Sequence, residues 1–523
     1  MILIERWRVL ILWIAVLGVA AYVIGYPFTL ATYPPITDLP VHAVDTSIVR
    51  HYFDPSFHFR EQFELHFLEL PYAAEYFLGA FFALFVSISW ATKLTAAVML
   101  SLLPVGLAVF FHGMKKSPLW GSLGLGFVWC TLTHWGFLNF MGAIGLYAMS
   151  AGFTLLVVDR PCRARQLGLG VTLVAIFFTH FYRFPFALLT VAGITVLMYP
   201  ATRTWKPVLP PLGGAVALFA VWWAFFKRPG LSGKIGRLSL HGDRLAQIPG
   251  YLFGSFSGPR EHVVGKQMLW VALGLFALTA LAFFIQGRHR GRSVRERWWG
   301  VGVTLVPVLM GAAFLLAYLI LPMDLGSWWY VYPREVTTAG YVALAAMPDL
   351  PKAWWLRLPL LAAFAIVSGR MALITATEWH TFEVSTKDFR AIIAEIPKAP
   401  KLMYLVFDHG GTTRTISPYV HLPAWVQAEK GGWSSWSPAA LGDVHPIRFR
   451  AGGNVPPAVP YRWEWTPEKF DLQTNGAFFD TFLVRDVGSP ERLFASDPSI
   501  HLAASQGGWW LYRREPVAQA GTR

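Results

Sequence analysis

Residues 9–27 read VLILWIAVLGVAAYVIGYP, an apolar run that contains no charged residue. A helix needs about 20 mostly apolar residues to cross the hydrocarbon core of a membrane, which is roughly 30 Å thick. The run is too long for a secretory signal, and only Tyr33-Pro34-Pro35 follows where a cleavage site of small residues would be expected. We therefore expect it to be a retained membrane anchor.

Further apolar runs of the same kind follow the first one. The predicted crossings are 9–27, 94–112, 119–133, 140–158, 167–180, 185–199, 209–226, 268–286, 300–321, 336–350 and 357–376. Composition agrees, because only 14% of the 523 residues are charged, against about 25% in soluble domains. That deficit, together with 24 Trp and 40 Phe, excludes a disordered chain and disfavours a soluble enzyme. Cys130 and Cys162 are too few for a disulfide framework or a cysteine-rich zinc site.

Basic residues fall in alternate connections between these runs, and Lys and Arg mark cytoplasmic loops. They are Arg6, Arg8, Lys115, Lys116, Arg160, Arg163, Arg165, Arg203, Lys206, Arg288, Arg290, Arg292, Arg295, Arg297, Lys352 and Arg357. Eleven crossings then place the N-terminus in the cytoplasm and everything after residue 377 outside, in a bacterial inner or plasma membrane. Much of the net charge of +14 is thus a topological signature, and we expect no nucleic-acid partner.

Two segments fit this path less easily. Residues 71–88 are apolar enough to cross, which would invert every later loop. Because Glu75 suits a partly wet position, we interpret the segment as a juxtamembrane or re-entrant helix on the outer side. Residues 227–266 are assigned outside although they hold seven cations. These are Lys227, Arg228, Lys234, Arg237, Arg244, Arg260 and Lys266. We expect them to attract either a polyprenyl phosphate or anionic lipid in general.

The composition changes after residue 376, where the chain becomes rich in Pro, Gly, Trp and charge. Apolar residues at helical spacing predict a helix at about 386–396. Alternation and aromatic content predict three strands, at Leu402–Phe407, Phe478–Val484 and Trp509–Arg513. We therefore divide the chain into a transmembrane domain, 1–376, with a long first outer loop at 28–93, and a C-terminal extracytoplasmic α/β or α+β domain, 377–523.

The first outer loop contains the residues best suited to catalysis. Residues 37–45 read TDLPVHAVD, in which Asp38, His42 and Asp45 are spaced i, i+4 and i+7. They share one face if a helix starts here, with Pro40 tolerated in its first turn. A carboxylate beside an imidazole can act as a general base or bind a divalent ion, so Asp38 and His42 are also the candidate metal ligands. The alternative is that Asp38 only caps a helix.

Three more connections are expected on the same side, and they supply the candidate substrate-binding residues. These are His134, Asn139, His180, Arg183, Trp328, Trp329, Tyr330 and Arg334. An arginine can bind a phosphate with two parallel hydrogen bonds. Aromatic residues at this depth form an interface belt, and they also stack on sugar rings. In the tail, we expect a binding surface for a glycan or a partner, because no nucleotide or phosphate motif occurs there.

This arrangement resembles the GT-C superfamily of integral membrane glycosyltransferases. The resemblance covers the whole chain as architecture, and at motif level it rests on residues 37–45, the segment 71–88 and the turn 134–139. In that family a first span leads into a long outer loop with an acidic residue, and a bundle of spans follows, often with a C-terminal domain outside. The resemblance implies that Asp38 is the catalytic base or a metal-associated carboxylate. His134 and Asn139 stand where several members carry a second acidic residue.

The resemblance implies transfer of a sugar from a polyprenyl-phosphate-linked donor to a glycan or protein acceptor on the outer face, with inversion at the sugar carbon. Asp38 would deprotonate the acceptor, and His42 and Asp45 would assist it or hold a cation. No cofactor is required by the sequence, and a divalent metal ion is the one candidate. Two alternatives stay open: a lipid or solute transporter, which should show inverted repeats and polar residues at mid-span, and a non-catalytic assembly or scaffold protein.

Overall fold

Long apolar helices make up most of the chain before residue 386. The computed structural model describes residues 2–226, 236–254, 258–285, 293–325, 329–411, 416–460 and 462–515. The helices of this part are α1 (Ile2–Phe28), α2 (Leu39–His51), α3 (Phe59–Gln62), α4 (Ala74–Phe82), α5 (Ile88–Gly113), α6 (Thr131–Trp135), α7 (Leu138–Asp159), α8 (Arg163–Thr179), α9 (Phe184–Thr202), α10 (Leu209–Phe225), α11 (Ile248–Leu252), α12 (Pro259–Ile285), α13 (Val294–Ile320), α14 (Val331–Ala343) and α15 (Trp354–Ser385). Short 3-10 helices lie at Pro55–Phe57, Pro118–Phe127, Phe181–Arg183, Lys206–Val208, Gly242–Gln247 and Leu344–Ala346.

Eight helices among the described residues are long and apolar enough to cross a membrane. They are Trp7–Phe28, Ile88–Gly113, Leu138–Asp159, Phe181–Thr202, Lys206–Phe225, Pro259–Ala282, Val294–Ile320 and Trp354–Ser385. The predicted fold class, a polytopic α-helical membrane protein, is confirmed. The predicted number of eleven crossings is not.

The remaining three predicted crossings lie in shorter elements. Residues 119–133 include most of a 3-10 helix and the start of the short helix α6, residues 167–180 lie almost entirely in the 17-residue helix α8, and residues 336–350 include the end of the 13-residue helix α14 and a 3-10 turn. The first of these segments is apolar because it is buried against α5. A Cβ atom at Gly121 would lie 2.5 Å from the carbonyl oxygen of Pro104. Hydropathy cannot separate such a buried segment from one that faces lipid.

The basic segment 227–266 also differs from the prediction. Lys227, Arg228 and Lys234 lie outside the described residues, as do residues 288–292 of the second basic run. Residues 259–266 belong to α12 rather than to a loop. Arg244 is buried, and its guanidinium donates hydrogen bonds to the carbonyl oxygens of Tyr318 and Leu321 at 2.8 and 2.6 Å.

Helix α7 lies at the centre of the bundle, since most of its residues are buried. It packs closely on α5 through glycines, and a Cβ atom at Gly106 would lie only 2.0 Å from the carbonyl oxygen of Gly145. Small residues allow this close approach of helices in membranes. The turn that precedes α7 contacts the first connection of the chain, since the amide of Thr37 donates to the carbonyl oxygen of His134 at 3.0 Å.

The segment 71–88 does not cross the bundle. It forms only the nine-residue helix α4 and a turn, and α4 packs against α2. The amide of Ala73 donates to the carbonyl oxygen of Phe178 at 2.9 Å, and the hydroxyl of Ser89 donates to Thr32 at 2.7 Å. Both ends of the segment thus lie at the same end of the bundle, in agreement with a juxtamembrane or re-entrant helix.

Several predicted cytoplasmic cations meet at the opposite end of the bundle. Lys115 Nζ lies 2.7 Å from a carboxylate oxygen of Asp159, and Lys116 Nζ donates to the carbonyl oxygen of Met347 at 2.7 Å. Arg8 lies over the ring of Trp354, 5.0 Å from its centroid. The alternate connections that carry basic residues are therefore gathered on one side.

The chain after Ser385 folds around a mixed sheet. Its helices and strands are α16 (Lys387–Glu395), β2 (Lys401–Val406), α17 (Ala424–Lys430), β3 (Trp433–Ser434), β4 (Ile447–Phe449), β5 (Thr481–Arg485), β6 (Ile500–Gln506), β7 (Trp509–Arg514) and α18 (Leu472–Asn475), and β1 (Phe63–Leu65) precedes α4. The strand order is β3-β2-β5-β7-β6, with β2 parallel to β3 and β5 and with β7 antiparallel to β5 and β6. The predicted helix and the three predicted strands correspond to α16, β2, β5 and β7. Strand β6 and the short strands β3 and β4 were not predicted.

Several contacts join this C-terminal part to the first connection. Strand β1 pairs with β4 in an antiparallel two-stranded sheet, and α17 packs against α2. Helix α15 continues past residue 376, the expected domain boundary, to Ser385. The C-terminal part is consequently seated on the end of the bundle that carries Asp38.

Candidate active site

A cavity of about 890 Å³ lies between the helix bundle and the C-terminal part. One wall comes from α2 and α4, a second from the turn before α7, and a third from residues 421–465. The three predicted catalytic residues, Asp38, His42 and Asp45, all line it. Other lining residues include Tyr72, Tyr76, Trp135, Asn139, Phe140, Trp329, His421, Trp436, His445, Arg462, Glu464 and Trp465.

Asp38 occupies the position immediately before α2, as the sequence predicts. Its side chain accepts no capping hydrogen bond, so the carboxylate is free to face the cavity. The backbone is fixed from the other side, because the amide of Asp38 donates to the carbonyl oxygen of Trp135 at 3.1 Å. Gly136, at φ +100°, lies so close that a Cβ atom there would be 2.8 Å from Cβ of Asp38. A left-handed glycine thus sets the position of Asp38.

The carboxyl group of Asp38 is suited to accept a proton near neutral pH. Its side chain is 34% exposed, toward the cavity. Burial raises the pKa of Asp38 to about 6, against smaller lowering effects of His42 and Arg334. A base with a pKa slightly below the working pH is both ionised and basic enough to take a proton.

His42 lies one turn further along α2 and is held on both ring nitrogens. Its Nε2 donates to the carbonyl oxygen of Gly136 at 3.0 Å, while Nδ1 lies 3.5 Å from the hydroxyl of Tyr76 and 3.8 Å from a carboxylate oxygen of Glu75. Burial alone would lower the pKa of His42, but Glu75, Asp38 and Asp45 raise it overall. A protonated His42 would stabilise negative charge in this part of the cavity.

Asp45 lies deeper, with only 1% of its side chain exposed. One carboxylate oxygen lies 3.2 Å from Nε2 of His445, which belongs to the C-terminal part. Nearby, burial raises the pKa of Glu75 above its usual range, and Asp45 adds to the shift while His42 opposes it. Asp45 therefore joins the two parts of the protein at the cavity wall.

The candidates of the second connection fall into two groups. Asn139 lines the cavity, and its Oδ1 is buried without a hydrogen-bond partner among the described residues. His134 does not line the cavity, because its ring is buried and stacks on Trp129, with centroids 6.0 Å apart. His180 is also buried outside the cavity lining, with its ring against Tyr72 and Phe140.

The two candidate phosphate-binding arginines differ in their surroundings. Arg183 is buried and donates two hydrogen bonds, 3.0 and 3.2 Å long, to the carboxylate of Glu335. Its charge is therefore already compensated. Arg334 lies over the ring of Phe137, 4.1 Å from its centroid, and donates to the carbonyl oxygen of Trp329 at 3.1 Å. Arg334 does not itself line the cavity, but it contacts Phe137 and Trp329, which do.

Of the aromatic candidates, Trp329 lines the cavity and Tyr330 lines a neighbouring one of about 510 Å³. Trp329 packs edge-on against Trp135, with ring centroids 5.3 Å apart, and both indoles border both cavities. Trp328 lies outside the described residues.

The C-terminal residues of the cavity were not predicted as site residues. They include His421, whose Nε2 lies 3.6 Å from Oδ1 of Asp38, and Glu464, whose pKa is raised by burial and by Asp38. No local sequence pattern connects residues that are nearly four hundred positions apart. The one available signal was the abundance of Trp in the tail.

Asp38 and His42 were also the candidate metal ligands. Within the part of the chain that the structure describes, no group of three or more His, Cys, Asp or Glu side chains is arranged to hold a metal ion. The nitrogen atoms of His42 face Gly136, Tyr76 and Glu75 instead of converging with the carboxylate of Asp38 on one point.

Comparisons with known proteins bear on the fold. No protein-family model and no curated protein sequence matches the chain. The chain is similar to the crystal structure of ArnT from Cupriavidus metallidurans bound to undecaprenyl phosphate, with a TM-score of 0.53 and 12% identity over 98% of this chain and 99% of that one. A cryo-EM structure of the arabinofuranosyltransferase AftD from Mycobacteria gives a TM-score of 0.46 and 12% identity over 96% of this chain and 40% of that one. The chain thus shares the fold of ArnT over nearly the whole length of both chains.

Proposed function

We propose that this protein transfers a sugar from a polyprenyl-phosphate-linked donor to an acceptor hydroxyl in the cavity that Asp38 faces. The observation that carries the proposal is the position of Asp38, exposed to a cavity of about 890 Å³ and flanked by both parts of the chain. The fold supports the same class of reaction, since the ArnT structure to which the chain is similar is bound to undecaprenyl phosphate.

Asp38 is the general base of the proposed reaction. The acceptor oxygen attacks the anomeric carbon, its proton passes to the carboxylate of Asp38, and the bond between that carbon and the phosphate oxygen breaks. The electron pair leaves with the polyprenyl phosphate. Because base and leaving group act on opposite faces of the sugar, the configuration at the anomeric carbon is inverted. A positioned base contributes about 10²- to 10⁴-fold to the rate of such a step.

Charge on the departing phosphate is the main demand on the rest of the site. Positive groups aimed at developing charge in a water-poor cavity stabilise a transition state strongly. We assign this role to Arg334 behind the wall and to protonated His42 at the wall. Arg183 keeps Glu335 and the surrounding helices in place, because its guanidinium is already paired.

Tryptophans from both parts of the chain line the cavity and are proposed to hold the sugar. Trp135 and Trp329 belong to the membrane part, and Trp436 and Trp465 to the C-terminal part. An indole presents a large flat surface with low conformational cost. We propose that the transferred sugar, or a sugar of the acceptor, stacks against these rings.

The cavity end of the bundle is proposed to face the extracytoplasmic side. The opposite end gathers Arg8, Lys115 and Lys116, and a cytoplasmic excess of Lys and Arg is the usual determinant of orientation. The domain after Ser385 then lies outside the membrane on the extracytoplasmic side.

The proposal is tested by transfer from radiolabelled polyprenyl-phosphate-linked sugars in membranes that contain the wild-type protein, Asp38→Asn or Asp54→Asn. Asp54 is a matched control, because it lies in the same connection, has a side chain that is 42% exposed and does not line the cavity. We expect Asp38→Asn to lower transfer at least about 100-fold and Asp54→Asn to change it less than about twofold. Undiminished transfer by Asp38→Asn would remove Asp38 from the mechanism.

A further inference from the structure

The C-terminal part brings its own side chains to the catalytic carboxylate. His421 is 6% exposed, and its Nε2 lies 3.6 Å from Oδ1 of Asp38. We infer that His421 is a positioning residue for Asp38, so that the chain after Ser385 forms part of the catalytic apparatus and is not an appended module. This inference rests on the proposed function of the cavity.

The His421 ring is held from the side opposite Asp38. It stacks on the indole of Trp436, with centroids 4.5 Å apart and planes inclined by 21°. Trp436 in turn follows β3, where the amide of Ser435 donates to the carbonyl oxygen of Leu402 in β2 at 2.8 Å. The central sheet therefore fixes Trp436, and Trp436 fixes the plane of the imidazole.

The backbone of His421 is anchored to the bundle as well. Its carbonyl oxygen accepts a hydrogen bond of 2.9 Å from the amide of Ala424, the first residue of α17. Helix α17 packs against α2, which begins directly after Asp38. His421 and Asp38 are thus attached to two elements that pack on each other, and their separation is set by that contact.

The chemistry of the pair suits orientation rather than proton transfer. Burial lowers the pKa of His421 to about 3, so the imidazole is neutral at physiological pH. Nε2 lies 3.6 Å from Oδ1 of Asp38, so a shift of a few tenths of an ångström would close a hydrogen bond from a neutral imidazole that carries its hydrogen on that nitrogen. That bond would hold the carboxylate with its other oxygen toward the acceptor hydroxyl. A misplacement of about 1 Å in such a group can lower a rate about 10²-fold.

A second histidine of the C-terminal part, His445, contacts the same helix face two turns further on, where its Nε2 lies 3.2 Å from a carboxylate oxygen of Asp45. His42 lies between the two contacts. Two carboxylates on this face are thus contacted by histidines from beyond residue 420, which is the arrangement expected if the C-terminal part sets the geometry of the site.

The test compares His421→Leu, His421→Gln and His501→Gln in the full-length protein. Leucine fills the space but has no donor, glutamine has an amide that can donate, and His501 is a half-exposed histidine of β6 outside the cavity lining. We expect His421→Leu to lower kcat about 10- to 100-fold with KM for both substrates changed less than about threefold. His421→Gln should recover most of kcat, and His501→Gln should behave as wild type.

The Tm of each variant in detergent separates positioning from folding. The inference would be overturned if His421→Leu kept the wild-type kcat, or if its loss of activity tracked a lower Tm or came from a change in KM alone. It would also be overturned if His421→Gln were no more active than His421→Leu. If the wild type transfers sugar and Asp38→Asn does not, these results bear on His421 only. If the wild type transfers no sugar from any polyprenyl-phosphate donor, the proposed function fails and the inference falls with it.

Discussion

At the scale of single residues, Asp38 controls the expected pH dependence of the reaction. Burial raises the pKa of its carboxyl to about 6, and only the ionised form can accept a proton. We therefore expect kcat/KM to be low below pH 5 and to rise through about pH 6. Initial rates between pH 4.5 and 8 measure this directly. A profile that is flat over this range would show that the essential base is another group.

Gly136 provides a second test at this scale, because it determines where Asp38 lies. Its φ of +100° and the 2.8 Å between a built Cβ atom and Cβ of Asp38 leave no room for a side chain. We expect Gly136→Ala to cost about 1–2 kcal/mol of stability from the backbone conformation alone and to lower kcat more than tenfold by displacing Asp38.

Gly274→Ala is the matched control, because nothing lies within 4 Å of a Cβ atom at that position in α12. Alanine has a higher helix propensity than glycine, so this variant should retain both Tm and activity. The role given to Gly136 would be contradicted if Gly136→Ala kept full activity in the same assay.

Residue-level prediction from sequence reaches residues that are grouped by a local pattern. Asp38, His42 and Asp45 share a helix face by spacing, and all three line the cavity. It did not reach His421 or His445, because their contacts with Asp38 and Asp45 depend on how distant parts of the chain pack. The pairing of Arg183 with Glu335 was missed for the same reason.

At the scale of elements, hydropathy located the long helices but could not count the crossings. The run at 119–133 is apolar because it packs on α5, and the run at 336–350 is too short a helix to span alone. Period-two alternation located β2, β5 and β7. Strand β6 was missed because its residues are mostly exposed, so its sequence shows no alternation between buried and exposed positions.

At the scale of the whole molecule, the proposed location of the cavity and that of the C-terminal part both depend on the orientation of the bundle in the membrane. Cys162 is exposed and belongs to the basic connection that includes Arg160, whereas Cys130 is buried. We expect a membrane-impermeant maleimide to label Cys162 only from the cytoplasmic side. In Cys162→Ser with Val487→Cys, whose parent residue is 92% exposed, the reagent should label from the opposite side. Labelling of both from one side would contradict the orientation.

The C-terminal part contributes directly to the cavity. Its strand β4 pairs with β1 of the first connection, and its Trp436 and Trp465 line the cavity together with Trp135 and Trp329. A site assembled from two parts can enclose the sugar while the polyprenyl chain remains in the membrane.

We propose that the cavity at Asp38 transfers sugar from a lipid phosphate. The most direct measurement of this activity follows a labelled polyprenyl-phosphate-linked sugar in proteoliposomes that contain the purified protein and an acceptor extract. We expect the label to leave the lipid, an equal amount of free polyprenyl phosphate to form, and the anomeric configuration of the product to be inverted. A label that stays on the lipid while the lipid crosses the bilayer, or a donor that is never consumed, would contradict the claim.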